Sequence, residues 1–132
     1  ESVAVVDAVG WLHPPGLVGV VLERLLVVRP GTRRAAWAAE QIARCGAVPL
    51  VVVLDPPRFG RGGRRLQFAA EEGNSAVVCV LETMDRSLPA SVRLVVSAPD
   101  RVRVERGGLG APGREIQLPP SAESPCHTGA LR

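Results

Sequence analysis

Residues 25–54 read LLVVRPGTRRAAWAAEQIARCGAVPLVVVL, and the fold is decided here. Leu25 to Val28 and Val48 to Leu54 are apolar runs bounded by Pro or Gly, the pattern of strands buried on both faces of a parallel sheet. Between them, Thr32 to Cys45 is opened by Pro30-Gly31-Thr32 and closed by Gly46. Ala35, Ala36, Ala39, Ile42 and Ala43 recur on it at helical spacing, which makes a narrow small-residue stripe able to lie close on a sheet. The stretch is a strand, helix, strand unit.

Working outward, Val3 to Val6 is a further β-branched run that ends in Asp7. His13 to Leu22 is expected to hold a short helix with Pro14 or Pro15 in its first turn, where a missing N–H does no harm. After the third strand, residues 55–63 are a loop by composition. Arg64 to Glu72 reads as a helix stopped by Gly73-Asn74, and Ala76 to Leu81 as a fourth buried strand. The pattern then changes. Val92 to Val96, Val102 to Glu105 and Glu115 to Leu118 are shorter, partly alternating runs separated by Pro99-Asp100 and residues 107–110, as in antiparallel strands. The expected fold is α/β, a mostly parallel sheet flanked by helices with an antiparallel C-terminal portion. One domain is expected over residues 1–118, followed by a loose or partner-dependent tail over 119–132.

Of the 132 residues, 46% are hydrophobic, enough for one ordinary core. No apolar run approaches the roughly 18 residues that cross a bilayer, and no basic segment precedes the first apolar run. A cytoplasmic protein without membrane contact is therefore expected. The chain begins without Met, so a trimmed or processed fragment is also considered. All sixteen basic residues are Arg, and a net charge of +3 permits nucleic-acid contact without requiring it. Cys45, Cys79 and Cys126 lack the spacing of a zinc or redox motif and read as reduced structural thiols.

Several segments in order carry a resemblance. Val5-Val6-Asp7-Ala8 with Leu12-His13-Pro14, then residues 25–30, then Ala43-Arg44-Cys45-Gly46-Ala47-Val48 resemble the central part of RecA recombinases. Arg64-Arg65-Leu66-Gln67 with Ala69-Ala70-Glu71, then Ser91-Val92-Arg93-Leu94, look like ImuA (the ImuA-prime type included), a RecA-like accessory family of mutagenic translesion synthesis. The resemblance runs from Val3 to Leu118. It implies a RecA-like fold and a non-catalytic adaptor in DNA-damage-induced mutagenesis. The implied partner is an ImuB-type inactive Y-family polymerase relative, with an error-prone C-family polymerase reached indirectly.

Departures from the recombinase pattern suggest that no cofactor is bound. Splitting ATP in this fold takes a Lys on the phosphates and acidic groups for Mg²⁺ and water. The chain has no Lys, and the usual place of the phosphate loop lies upstream of Ser2. Val9 stands where the resemblance puts the water-activating Glu, and Leu54 where it puts the metal-side Asp, with Asp55 one residue off. The phosphate-sensing Gln aligns near Thr83. The expectation is no enzyme, with no catalytic, cofactor or metal residues. A truncated RecA-type ATPase with its phosphate loop upstream of Glu1, and a SulA-like inhibitor of cell division, are the alternatives.

The remaining candidates are local. Asp7 and Asp55 follow strands at one sheet edge and read either as an acidic metal site or as turn and cap residues. His13 and His127 lack the partners of a catalytic arrangement. Arg58, Phe59, Arg61, Arg64 and Arg65 surround three glycines, which suits weak binding of single-stranded DNA through phosphate contacts and one stacked ring; a solvated basic turn is the other reading. Trp37 reads as core or as an interface anchor, and Cys126 and Leu131 in the tail are further candidates for the partner interface.

Overall fold

The computed structural model describes residues 1–13, 15, 17, 19–56, 58–108 and 111–119. The chain divides into two compact units, Glu1–Pro89 and Ala90–Arg132, where the sequence suggests a single domain over 1–118. Each unit has its own sheet.

In the first unit, β1 (Val3–Asp7), β2 (Leu25–Val28), β3 (Leu50–Leu54) and β4 (Ala76–Val80) form an all-parallel sheet in the order β2-β1-β3-β4. Parallel neighbours need crossovers. Two of these are helical: α1 (Ala35–Arg44) after β2 and α2 (Gly62–Glu72) after β3. The strand register aligns Ala4 with Leu26 and Val51, and Val53 with Val6 and Cys79. Side chains alternate along strands, so Val6, Val51 and Val53 share one face with Val77 and Cys79. That face carries both helices. The core there consists of Val6, Val51 and Val53 against Ala35, Ala38, Ala39 and Ala43 of α1, with Leu66 and Ala69 of α2 and Phe59. Each fully buried Val contributes roughly 1.5–3 kcal/mol.

The ends of the two helices meet backbone to backbone. A Cβ placed on Gly73 would lie 1.8 Å from the carbonyl oxygen of Ala43, so only glycine fits behind α2. Ser75 seals the junction, its hydroxyl 3.0 Å from the carbonyl of Ala43 and 2.9 Å from that of Val48. Across the helices, Glu40 is a buried acid. Arg65 Nη2 lies 3.1 Å from each of its carboxylate oxygens, Arg44 Nη1 donates to it at 3.0 Å, and Arg44 Nε reaches Glu72 at 2.9 Å. This acid-arginine set ties α1 to α2.

Burial on both faces holds for β1 in the centre of the sheet. The outer strands differ: Leu26 and Val27 on β2, and Val78 and Val80 on β4, are exposed. An apolar run reveals a strand but not its place in the sheet order, and edge strands have a neighbour on one side only. The short helix expected over residues 13–22 falls in part on residues 14, 16 and 18, which lie outside the described residues. A 3-10 turn at Leu22–Arg24 leads into β2, and Pro14 lies outside the described residues. The second helix starts at Gly62, two residues earlier than the sequence suggests, and a 3-10 turn, Thr32–Arg34, precedes α1.

The second unit is an antiparallel sheet of β5 (Arg93–Ala98), β6 (Arg101–Arg106) and β7 (Glu115–Gln117) in that order. Pairs Leu94 with Val104 and Val96 with Val102 line one face, and Arg101 and Arg103 pair with Gln117 and Glu115 on the other. This alternation matches the antiparallel portion read from the sequence. Among the described residues no helix is long and apolar enough to cross a membrane.

Candidate functional site

Open parallel sheets bind ligands beyond the carboxyl ends of their strands, and the residues at those ends are Asp7, Arg29 and Asp55. Asp7 closes β1 and is only 1% exposed. Its Oδ1 accepts the N–H of Trp11 at 2.8 Å and its Oδ2 that of Leu12 at 3.1 Å. Arg29 stands 3.4 Å from Oδ2 and donates to the carbonyl of Leu12 at 3.1 Å. Burial pushes the acid's pKa up, but the amides of Leu12, Trp11 and Gly10 and the charge of Arg29 outweigh it, and the net shift is downward. Asp7 is thus an ionised cap on the turn after β1, with its oxygens committed to the backbone and to Arg29.

Asp55 leaves β3 with a positive φ of 37°, a conformation that Asp tolerates better than most residues. Its N–H donates to the carbonyl of Val80 at 2.7 Å, and its Oδ1 accepts from the amide of Glu82 at 3.2 Å. It pins the exit of β3 to the exit of β4. Both acids are turn and cap residues, the plainer of the two sequence readings. Val9, at the position the resemblance gives to a water-activating acid, is exposed. Among the described residues no group of three or more His, Cys, Asp or Glu side chains is placed to hold a metal ion.

The arginine-rich segment after β3 is split by the fold. Phe59 is 8% exposed and belongs to the core cluster. The expectation of a ring free to stack on a base is therefore corrected: the ring packs inward, because the chain turning from β3 into α2 carries it under the helix. Arg65 is taken up by Glu40 at the α1–α2 seam. Arg58, Arg61 and Arg64 remain exposed, and among the described residues none of the three makes an ion pair. Arg61 and Arg64 line, with Gly60, Ser87 and Pro89, an open recess of about 570 Å³. They sit in and just before the first turn of α2, where the helix dipole is positive and further cations are unfavourable. An anion there would relieve both the arginine cluster and the dipole. Ser87 is a residue the sequence reading missed; its distance from the arginines in the chain hides it.

Trp37 is 58% exposed on α1, which removes the core reading and leaves it as surface. Phe68 on α2 is exposed as well. Cys126 and Leu131 lie outside the described residues. A second recess, of about 380 Å³, is lined by Leu12, Leu17, Val27 and Arg29 beside β2.

No family model matches the chain, and no curated protein is significantly similar to it.

Proposed function

We propose that the chain is a non-catalytic RecA-like adaptor of DNA-damage-induced translesion synthesis, which binds an ImuB-type inactive Y-family polymerase relative and touches single-stranded DNA weakly. The observation that carries the reading is the state of Asp7. An acid at the end of a central strand is where this kind of fold would place a group to work on a nucleotide or its metal. Here both of its oxygens serve the turn at residues 10–12, and Arg29 stands beside them. With its oxygens taken by backbone amides and the positive charge of Arg29 beside it, this carboxylate is a poor ligand for Mg²⁺ and a poor proton acceptor. Leu54 and Val9 add no acid at the neighbouring positions.

Exposed Arg58, Arg61 and Arg64 support the DNA part. Arg61 and Arg64 at the helix start, with Arg58 in the loop before it, suit phosphate oxygens. With Phe59 in the core, contact is expected to run through phosphates alone and to ignore sequence. The C-family polymerase would be reached through the ImuB-type partner, and such a role fits a cytoplasmic, nucleoid-associated protein.

Two measurements test the reading. Purified chain mixed with a purified ImuB-type protein should co-elute as a complex in size-exclusion chromatography. Titration calorimetry with ATP·Mg²⁺ should be flat. Micromolar ATP binding without complex formation would favour a RecA-type ATPase instead.

A further inference from the structure

The charges of α2 run against the order its own dipole favours. Acids stabilise the first turn of a helix and bases the last. In α2 the first turn holds no acid and the last turn no base. Arg61 at the N-cap, with Arg64 and Arg65 behind it, stands at the positive end, and Glu71 and Glu72 close the negative end. The fold answers only part of this. Arg65 is held by Glu40, and Glu72 is shared with Arg44 while its side chain stays 64% exposed. Glu71 accepts from Gln67 of its own helix at 3.1 Å. Arg61 and Arg64 are exposed and make no ion pair among the described residues.

These charges share one stripe. Arg61, Arg64, Phe68, Glu71 and Glu72 fall at i, i+3, i+7, i+10 and i+11, the spacing of a single helix face, and all five are exposed. Phe68 is the large apolar side chain at its centre, 64% exposed. Laid antiparallel on an identical helix, the stripe complements itself. Arg61 then faces Glu72 of the second copy, Arg64 falls between the second copy's Phe68 and Glu71, and the two rings meet near the middle. The second copy's acids supply the anions that the first turn lacks, and its arginines the cations that the last turn lacks. A strand of phosphates along the whole stripe would run onto Glu71 and Glu72, so an occupant that carries both signs fits it better than a polyanion.

We propose that the outer face of α2 is the contact of a symmetric dimer, in which a second copy of this chain packs its own α2 antiparallel on the first. The contact is isologous, so each pair occurs twice about the two-fold axis. Phe68 supplies the apolar centre, and the guanidinium of Arg64 can lie on the ring of the second copy. With 11 residues, α2 is about 16 Å long. A contact of that length is small for a permanent dimer, and a dissociation constant on the order of 10–100 µM is expected. The inference rests on the helix face and not on the adaptor reading.

Sedimentation equilibrium of the full chain tests it. A monomer–dimer equilibrium is expected, weakened at least about tenfold by Phe68→Ala and weakened also by salt, which screens the charge pairs. Arg61→Glu with Arg64→Glu makes the stripe acidic throughout, Glu71→Arg with Glu72→Arg makes it basic throughout, and each variant alone should be monomeric. All four positions are exposed, so the fold should persist, which the melting temperature checks. Mixed in equal amounts, the two variants should pair as a heterodimer, a result that misfolded chains would not give. A parent chain that stays monomeric at every concentration would overturn the proposal. So would a dimer indifferent to Phe68→Ala and to charge reversal, or two reversed variants that fail to pair. Arg61 and Arg64 cannot serve phosphates and a second copy at once, so oligothymidine should shift the equilibrium toward monomer; a dimer that ignores it would count against the DNA reading alone.

Discussion

Replacing Phe59 with alanine separates a core residue from a nucleic-acid contact, because the two roles predict opposite readouts. The ring is 8% exposed and packs in the cluster that includes Val51, Val53, Leu66 and Ala69. Truncating a buried Phe to Ala typically costs about 3–5 kcal/mol, and a site at the rim of a core, which can relax, falls near the lower end, about 3 kcal/mol. In a domain of this size each kcal/mol lowers the melting temperature by roughly 4–8 °C, so a fall of about 12–24 °C is expected. Differential scanning calorimetry reads it directly. Phe59→Leu keeps most of the volume without the aromatic face and should cost only about 1 kcal/mol. Its affinity for an oligothymidine probe at low salt should equal that of the parent chain. A melting temperature unmoved by Phe59→Ala, together with DNA affinity lost in Phe59→Leu, would refute the inward packing and restore the ring as a stacking platform.

Three further outcomes are expected. Arg58, Arg61 and Arg64 changed together to Ala should remove the salt dependence of single-stranded DNA binding, whose log-log slope is expected near about −2 if each neutralises one phosphate; Arg65→Ala should leave that slope alone and loosen the α1–α2 seam. Asp7→Asn should destabilise the chain by about 1–3 kcal/mol at neutral pH. Because the folded pKa of Asp7 lies below its ordinary value of 3.8, that difference should be complete above this value and close as pH falls through the lower folded one, which denaturant melts across pH would follow. Burial pushes the Cys79 thiol up to about 11, whereas Cys45 is exposed. Iodoacetamide at pH 8, with peptide mapping, should label Cys45 well before Cys79, since only about one Cys79 in a thousand is then thiolate; equal labelling would show that the thiol is open to water.

The parallel sheet was legible because its signals are local. Val3 to Val6, Leu25 to Val28 and Val48 to Leu54 need no knowledge of their neighbours to be read as strands, and the alanine stripe of α1 has the period of its own helix. What was not legible depends on contacts distant in the chain. Gly62 and Gly63 look like breakers, yet they open α2, where a Cβ on Gly63 would come within 2.8 Å of the Pro89 ring. Glycine there is a packing requirement imposed by a residue 26 positions later. β4 and β2 have the composition of central strands, and only the order of the sheet makes them edges.

The candidate site suffered more than the fold for the same reason. Five residues, Arg58, Phe59, Arg61, Arg64 and Arg65, read as one basic loop with an aromatic ring. The fold sends the ring to the core, gives Arg65 to Glu40, and leaves Arg61 and Arg64 at the start of α2 with Arg58 in the loop before it. Glu40 and Arg44 carry the helical i,i+4 spacing that a sequence reveals; the arginine that completes the set, Arg65, comes from another helix. Charge placed by local sequence is therefore a pool from which tertiary structure first satisfies its buried acids. The arginines left over before and in the first turn of α2 are those for which an external anionic partner has the most to offer, which is why the proposed contacts fall on Arg58, Arg61 and Arg64 rather than on Arg44 or Arg65.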